Sequence, residues 1–224
     1  MRAAATIVEL RHLLAERFPQ AHGTKLARDG TPTVTTGVPG LDALLRGGLP
    51  RGELSELVGD GHGSGSAQVI HALLRRVAAD GRFLALVDGA DSFDVDPVEP
   101  DVLSRLLWVR CTAADQALKA ADILLRDPNF PFVILDLKLN PVAQLRKIPS
   151  SVWHRFRRLL EQNGTTTLVV TPHPLVGGAV CRVRVESKLS LGALVQPPSA
   201  VLGQLRFELL RGESHEENEI VQAG

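Results

Sequence analysis

From Glu53 onward, short apolar runs alternate with segments of helical spacing: ELSELV, SAQVIHALLRRVA, FLALVD, ADQALKAADILL, FVILD, VWHRFRRLLE and TTLVV. This alternation restricts the fold more than any other feature. Strand, helix and strand in succession form a crossover, and crossover strands pair in parallel with helices covering the sheet. Near the end, CRVRVESKL and GQLRFELL alternate in polarity and are joined by a Pro/Gly/Ser-rich segment, which predicts an antiparallel hairpin with one buried face. The expected class is α/β: a mostly parallel sheet with crossover helices and a C-terminal antiparallel hairpin. A chain of 224 residues that is 44% hydrophobic can bury one substantial core.

Ahead of this core, Ile7, Leu10, Leu14 and Phe18 recur at helical spacing and predict an amphipathic helix over about residues 5 to 18. PQAHGTKLARDGTPT then reads as a linker or extended arm. The division expected is residues 1–32 for helix and linker, 33–210 for the core, and 211–224 for a disordered acidic tail. The formal charge of +0 gives no whole-molecule attraction to nucleic acid or anionic membrane. Without a leader-like start or a run of about 18 apolar residues, the expectation is a cytoplasmic protein that makes no membrane contact. Cys111 and Cys181 lack CxxC spacing and read as buried free thiols, and His173, between two prolines, reads as a turn residue. No metal site is expected.

The chemically informative stretch is ELSELVGDGHGSGS. A P-loop, GxxxxGK[ST], needs glycines so that backbone N–H groups can curl around phosphates, a lysine to neutralise them, and a hydroxyl for magnesium. The loop holds Gly59, Gly61, Gly63, Ser64, Gly65 and Ser66, but counting from Gly59 the motif's second glycine, lysine and hydroxyl fall on Ser64, Gly65 and Ser66, so of those three only the hydroxyl remains. The backbone concavity and the positive end of a helix starting near Ser66 remain able to attract an anion weakly. FVILD ends at Asp136, the place of a Walker B aspartate, although a carboxylate at a strand end also serves as an ordinary cap.

The segment TGVPGLDALLRGGLPRGELSELVG, with Gly37, Leu41, Asp42, Gly47, Gly48, Leu49, Pro50 and Gly52 in order, resembles the lead into the P-loop of bacterial RecA-type recombinases. FLALVDGADSFD and FVILD extend the resemblance over about residues 36 to 190. It implies a RecA-like core. In that alignment the catalytic glutamate falls on Ala90, with Asp88 retained, and a methyl group can neither orient nor deprotonate water. KLNPVAQLRKIPS and PHPLVGGAV stand where recombinases carry longer DNA-binding loops, and the nucleotide-sensing glutamine has no counterpart near TPHP. GDGHGSG, LLWVR and LVVTPHP are similar to the ImuA group of damage-inducible mutagenesis proteins, some of which are described as SulA-like.

That resemblance implies RecA recombinase and an ImuB-type polymerase-like protein as partners, within the SOS response and translesion synthesis. The residues imply a non-catalytic accessory protein, a pseudo-ATPase for which ATP and magnesium are disfavoured. The alternatives are an atypical DNA-dependent ATPase and a division inhibitor of SulA type. Two readings of the N-terminal helix stay open: Ile7, Leu10, Leu14 and Phe18 either dock on another subunit, which can be a second copy, or cover their own core. Lys138, Arg146, Lys147, Arg155 and Arg158, with Trp153 and Phe156 interleaved, either touch DNA phosphates without sequence preference or form a solvated helix face. On that helix, capped by Ser150 or Ser151, Val152, Phe156, Leu159 and Leu160 form the expected buried stripe.

Overall fold

The apolar runs assemble into one sheet. The computed structural model describes residues 32–60, 63–187 and 198–210. A small entry unit holds β1 (Thr33–Val34), α1 (Pro39–Leu44) and β2 (Leu49–Pro50), with β1 and β2 paired antiparallel. The main body follows as β3 (Leu54–Val58), α2 (Ser66–Ala79), β4 (Leu84–Asp88), α3 (Pro100–Leu103), β5 (Leu106–Arg110), α4 (Ala114–Leu124) and β6 (Phe132–Asp136). It ends with α5 (Val142–Leu145), α6 (Ser150–Asn163), β7 (Thr166–Thr171), β8 (Cys181–Ser187), α7 (Pro198–Leu202) and β9 (Leu205–Leu209). The seven-stranded sheet has the order β5-β4-β6-β7-β3-β8-β9. All neighbours are parallel except β8 and β9, the expected C-terminal hairpin, in which Val185 faces Phe207. This is a RecA-like α/β core.

Parallel strands buried on both faces read as near-continuous apolar runs. Leu84, Leu86, Phe132, Ile134, Leu168 and Val170 point to the face covered by Val69, Ile70 and Leu73 of α2. Ala85, Val87, Val133, Leu135 and Val169 point to the other, against Ala117, Trp153 and Phe156. ELSELV departs from its alternating look, because Ser55 and Glu56 are as buried as Leu54 and Leu57. At α6 the stripe is turned by one residue: Trp153 is buried with Phe156, Leu159 and Leu160, whereas Val152 is only half-buried. The N-cap is Pro149 without a side-chain hydrogen bond, so neither Ser150 nor Ser151 caps the helix. The ring of Pro149 fixes its φ, −72°, in the extended conformation from which the helix starts.

Residues 5 to 18 with Ile7, Leu10, Leu14 and Phe18, the arm up to residue 31, Gly61 and the acidic tail 211–224 lie outside the described residues. Among the described residues no helix is long and apolar enough to cross a membrane. Cys111 and Cys181 are buried free thiols, with burial raising both pKa values, that of Cys181 to about 11.

Candidate functional site

The C-terminal ends of parallel strands are where α/β sheets present ligand sites. Here β7 separates β3 from β6: Val58 pairs with Thr171 and Asp136 with Val170. The loop after β3 and the turn after β6 thus lie two strand spacings apart, about 10 Å. One side chain spans the gap. Lys138 donates from its Nζ to Ser64 Oγ at 2.6 Å and to Ser66 Oγ at 3.0 Å. Both serines are buried and Lys138 is half-buried. Gly59 makes room for Ser64, since a Cβ there would overlap Ser64 Oγ, while it would only touch Lys138 Cε, at 3.4 Å. In the sequence Lys138 groups with the basic residues that follow it; in the fold it turns away from them into the glycine-rich loop.

Gly65 ends the loop and precedes α2 with φ of 95°, a left-handed conformation that glycine adopts without penalty. A Cβ added there would overlap Leu205 Cδ2 and stand 3.4 Å from Ser187 Cβ. Leu205, at the start of β9, is buried. The C-terminal hairpin therefore covers Gly65 at the end of the glycine-rich loop. Arg184 of the same hairpin pairs with Asp60 at 3.5 Å and with Glu208 at 2.9 Å.

Asp136 ends β6 beside Asp88 of β4, its register partner. Desolvation pushes the Asp136 carboxyl up to about 6, opposed by a hydrogen bond from the Lys138 backbone N–H, reinforced by the Asp88 charge and opposed again by the Lys138 ammonium. For Lys138, desolvation lowers the pKa against the pull of Asp136. Asp88 is fully committed to structure: it accepts from Ser92 N and Phe93 N, each at 2.8 Å, and from Trp108 Nε1 at 3.3 Å, fixing the turn after β4. Gly89 is required there, because a Cβ would overlap Asn140 Oδ1, while Asn140 Nδ2 donates to Gly89 O at 2.6 Å. Ala90 is half-buried. The adjacent Asp91, at φ of 51°, is paired with exposed Arg110 at 2.6 Å. That hydrogen bond holds its carboxyl below the usual range.

The connection after β7 is anchored from beneath. Glu56 accepts at Oε1 from Thr171 Oγ1 at 2.9 Å, Leu175 N at 2.7 Å and Val176 N at 3.1 Å, and its Oε2 accepts from Arg182 Nε. Glu56 is 1% exposed. A buried carboxylate with both oxygens hydrogen-bonded fixes both the strand and the connection that follows β7. His173 is half-buried in that connection.

The basic residues do not converge. Arg155 pairs with Asp122 at 2.7 Å, which also holds Arg126 at 3.1 Å, and Arg157 approaches Glu161 at 3.9 Å. Arg146 and Lys147 are exposed between α5 and α6, and Arg158 is exposed on α6. Trp153 and Phe156 are in the core, closed to base stacking. Among the described residues no group of three or more His, Cys, Asp or Glu side chains could hold a metal ion.

No family model matches the chain. It is similar to Protein RecA of Mycobacterium tuberculosis (strain ATCC 25618 / H37Rv), 28% identical over 164 residues, 64% of this chain and 20% of the relative. It is also similar to Protein RecA of Nocardia farcinica, 27% identical over 164 residues, 64% of this chain and 46% of the relative. The match to Protein RecA of Rhodospirillum centenum is 33% over 129 residues, covering 55% of this chain and 36% of the relative. The chain is a distant relative of RecA. It spans from 20% to 46% of the length of these curated relatives. Distant RecA homology and the mostly parallel sheet fit a RecA-like core, and Lys138 and Leu205 both pack on its glycine-rich loop.

Proposed function

We propose that the chain is a non-catalytic RecA-like accessory protein of the DNA-damage response, an adaptor of the ImuA kind for recombinase and translesion-polymerase components. The observation that carries this reading is Gly65. Its left-handed backbone and the covering Leu205 leave no place for a phosphate-binding lysine. Ala90 supplies no base, and Asp91 is drawn off to Arg110. A RecA-like fold without these groups keeps surfaces rather than turnover, so RecA recombinase, an ImuB-type polymerase-like protein or a second copy are the partners proposed. DNA contact, if made through Arg146, Lys147 and Arg158, is nonspecific and weakens steeply with salt.

Isothermal titration of the full chain with ATP and magnesium is expected to give an affinity no tighter than millimolar, about 4 kcal/mol. Affinity purification with mass spectrometry after DNA damage is expected to return recombinase or polymerase subunits. Micromolar ATP affinity, or purification without such subunits, overturns the proposal. One observation favours a second reading, an atypical DNA-dependent ATPase: the Lys138 ammonium reaches the loop and could meet a phosphate from the β6 side. DNA-stimulated phosphate release would establish it.

A further inference from the structure

We infer that Lys138 is an intramolecular cation that fills the glycine-rich loop from the β6 side, so that the chain itself occupies the place a P-loop reserves for lysine and magnesium. The inference rests on the non-catalytic reading and adds how the loop is kept formed without a ligand. In a P-loop the hydroxyl after the lysine coordinates magnesium. Here the corresponding hydroxyl, Ser66 Oγ, lies 3.0 Å from the Lys138 ammonium, and Ser64 Oγ lies 2.6 Å from it. The Asp136 charge, where a magnesium-bound water would be held, attracts the same ammonium.

The surroundings fit an occupant and not an open cradle. Leu205 covers Gly65, Gly59 leaves space for the Ser64 hydroxyl that the ammonium meets, and Asp136 receives the Lys138 backbone N–H at 2.9 Å. The last bond fixes where the lysine leaves the sheet. An ammonium donates three hydrogen bonds in any direction, as a metal ion accepts ligands, so it can replace a cation between hydroxyls and carboxylate. Held in this way, Ser64 and Ser66 keep their places without a nucleotide.

The test uses the full chain, with K138M keeping the stem and losing the charge, and S66A alone and combined with it. Melting is followed by scanning fluorimetry with and without millimolar Mg·ATP or inorganic phosphate. K138M is expected to lower the melting temperature by about 2–4 °C, the K138M/S66A pair to fall less than the sum of the single variants, and neither ligand to shift wild type. A gain of Mg·ATP binding by K138M would agree, since the place would then be vacated. If K138M leaves melting unchanged, or the pair is additive, the intramolecular cation is wrong while the non-catalytic reading stands. If Mg·ATP or phosphate stabilises wild type and K138M abolishes the effect, Lys138 is a ligand clamp and both readings fall. A ligand shift in wild type that survives K138M also ends both.

Discussion

Two loops leave the C-terminal edge of the sheet side by side and are held in opposite ways. The glycine-rich loop after β3 is held from above, by a half-buried lysine from β6 and by Leu205 from the hairpin. The connection after β7 is held from below, by Glu56 in the floor of the sheet. The first hold uses side chains that come from other elements and, on the inference drawn above, stand in for a ligand. The second uses a carboxylate whose loss leaves several buried partners stranded. The loop after β3 should therefore tolerate change at a modest cost, and the connection after β7 should not.

The most damaging substitution expected is E56A. It leaves the Arg182 guanidinium, the Thr171 hydroxyl and the Leu175 and Val176 N–H groups without their acceptor. Breaking a buried pair on one side destabilises by about 3–5 kcal/mol. Urea denaturation should show that loss; a change below about 1 kcal/mol would erase the contrast between the two loops.

Next comes G65K, which restores the P-loop lysine in sequence. It places a side chain into Leu205 and a non-glycine residue at φ of 95°. Overpacking and backbone strain together give a loss of about 2–4 kcal/mol. Titration with Mg·ATP should stay silent. Tight ATP binding by G65K would mean that Leu205 moves aside freely, and the hairpin would then be a removable cover.

How much of this was legible in the sequence differs between the same two loops. Counting from Gly59 finds Gly65 in the lysine position, and the continuous apolar runs of β3, β4, β6 and β7 follow from burial on both faces. Lys138 could not be found by counting. It lies 72 residues from Ser66, and only the strand order, with β7 alone between β3 and β6, brings them together. Among basic neighbours it reads as part of a charged face. Leu205 was hidden for the same reason, since its role depends on β9 bringing it against Gly65, just before α2. Glu56 was hidden differently: a glutamate within LSELV looks like the polar half of an alternating strand, and only Arg182 and the chain above show why it is buried. At α6, Val152 and Trp153 are both apolar, so spacing alone left the phase of the helix open by one residue.

Asp136 gives a pH-dependent comparison. Its folded pKa of about 6 stands above the ordinary 3.8. The folded state therefore holds a proton that the unfolded state has released between these values, and stability falls as pH rises through them, with the full cost present above pH 6. D136N lacks this cost. Its melting temperature should match wild type near pH 4 and exceed it by pH 7.5, by at most about 3 kcal/mol in stability. A variant less stable than wild type at pH 7.5 would show that the attraction between Asp136 and Lys138 outweighs desolvation, which would tie the loop after β3 to the sheet more tightly than the contrast allows.

The smallest structural effect belongs to A90E, and it separates the two deficits of the loop site. Ala90 is half-buried beyond the Gly89 turn, whose shape is set by Asp88 and Asn140 and not by the alanine side chain. Replacing it should change stability by less than about 0.5 kcal/mol, as at an ordinary surface position. A glutamate there supplies a candidate base but no phosphate clamp, because Gly65 still carries no lysine and Lys138 still bonds to Ser64 and Ser66. General-base catalysis needs a bound, oriented substrate before proton transfer can accelerate anything. Phosphate release from ATP by A90E should therefore remain at background, with and without single-stranded DNA. Turnover by this variant alone would mean that phosphate is held after all, with Lys138 as the holder, and that the missing base was the single lesion in a working site.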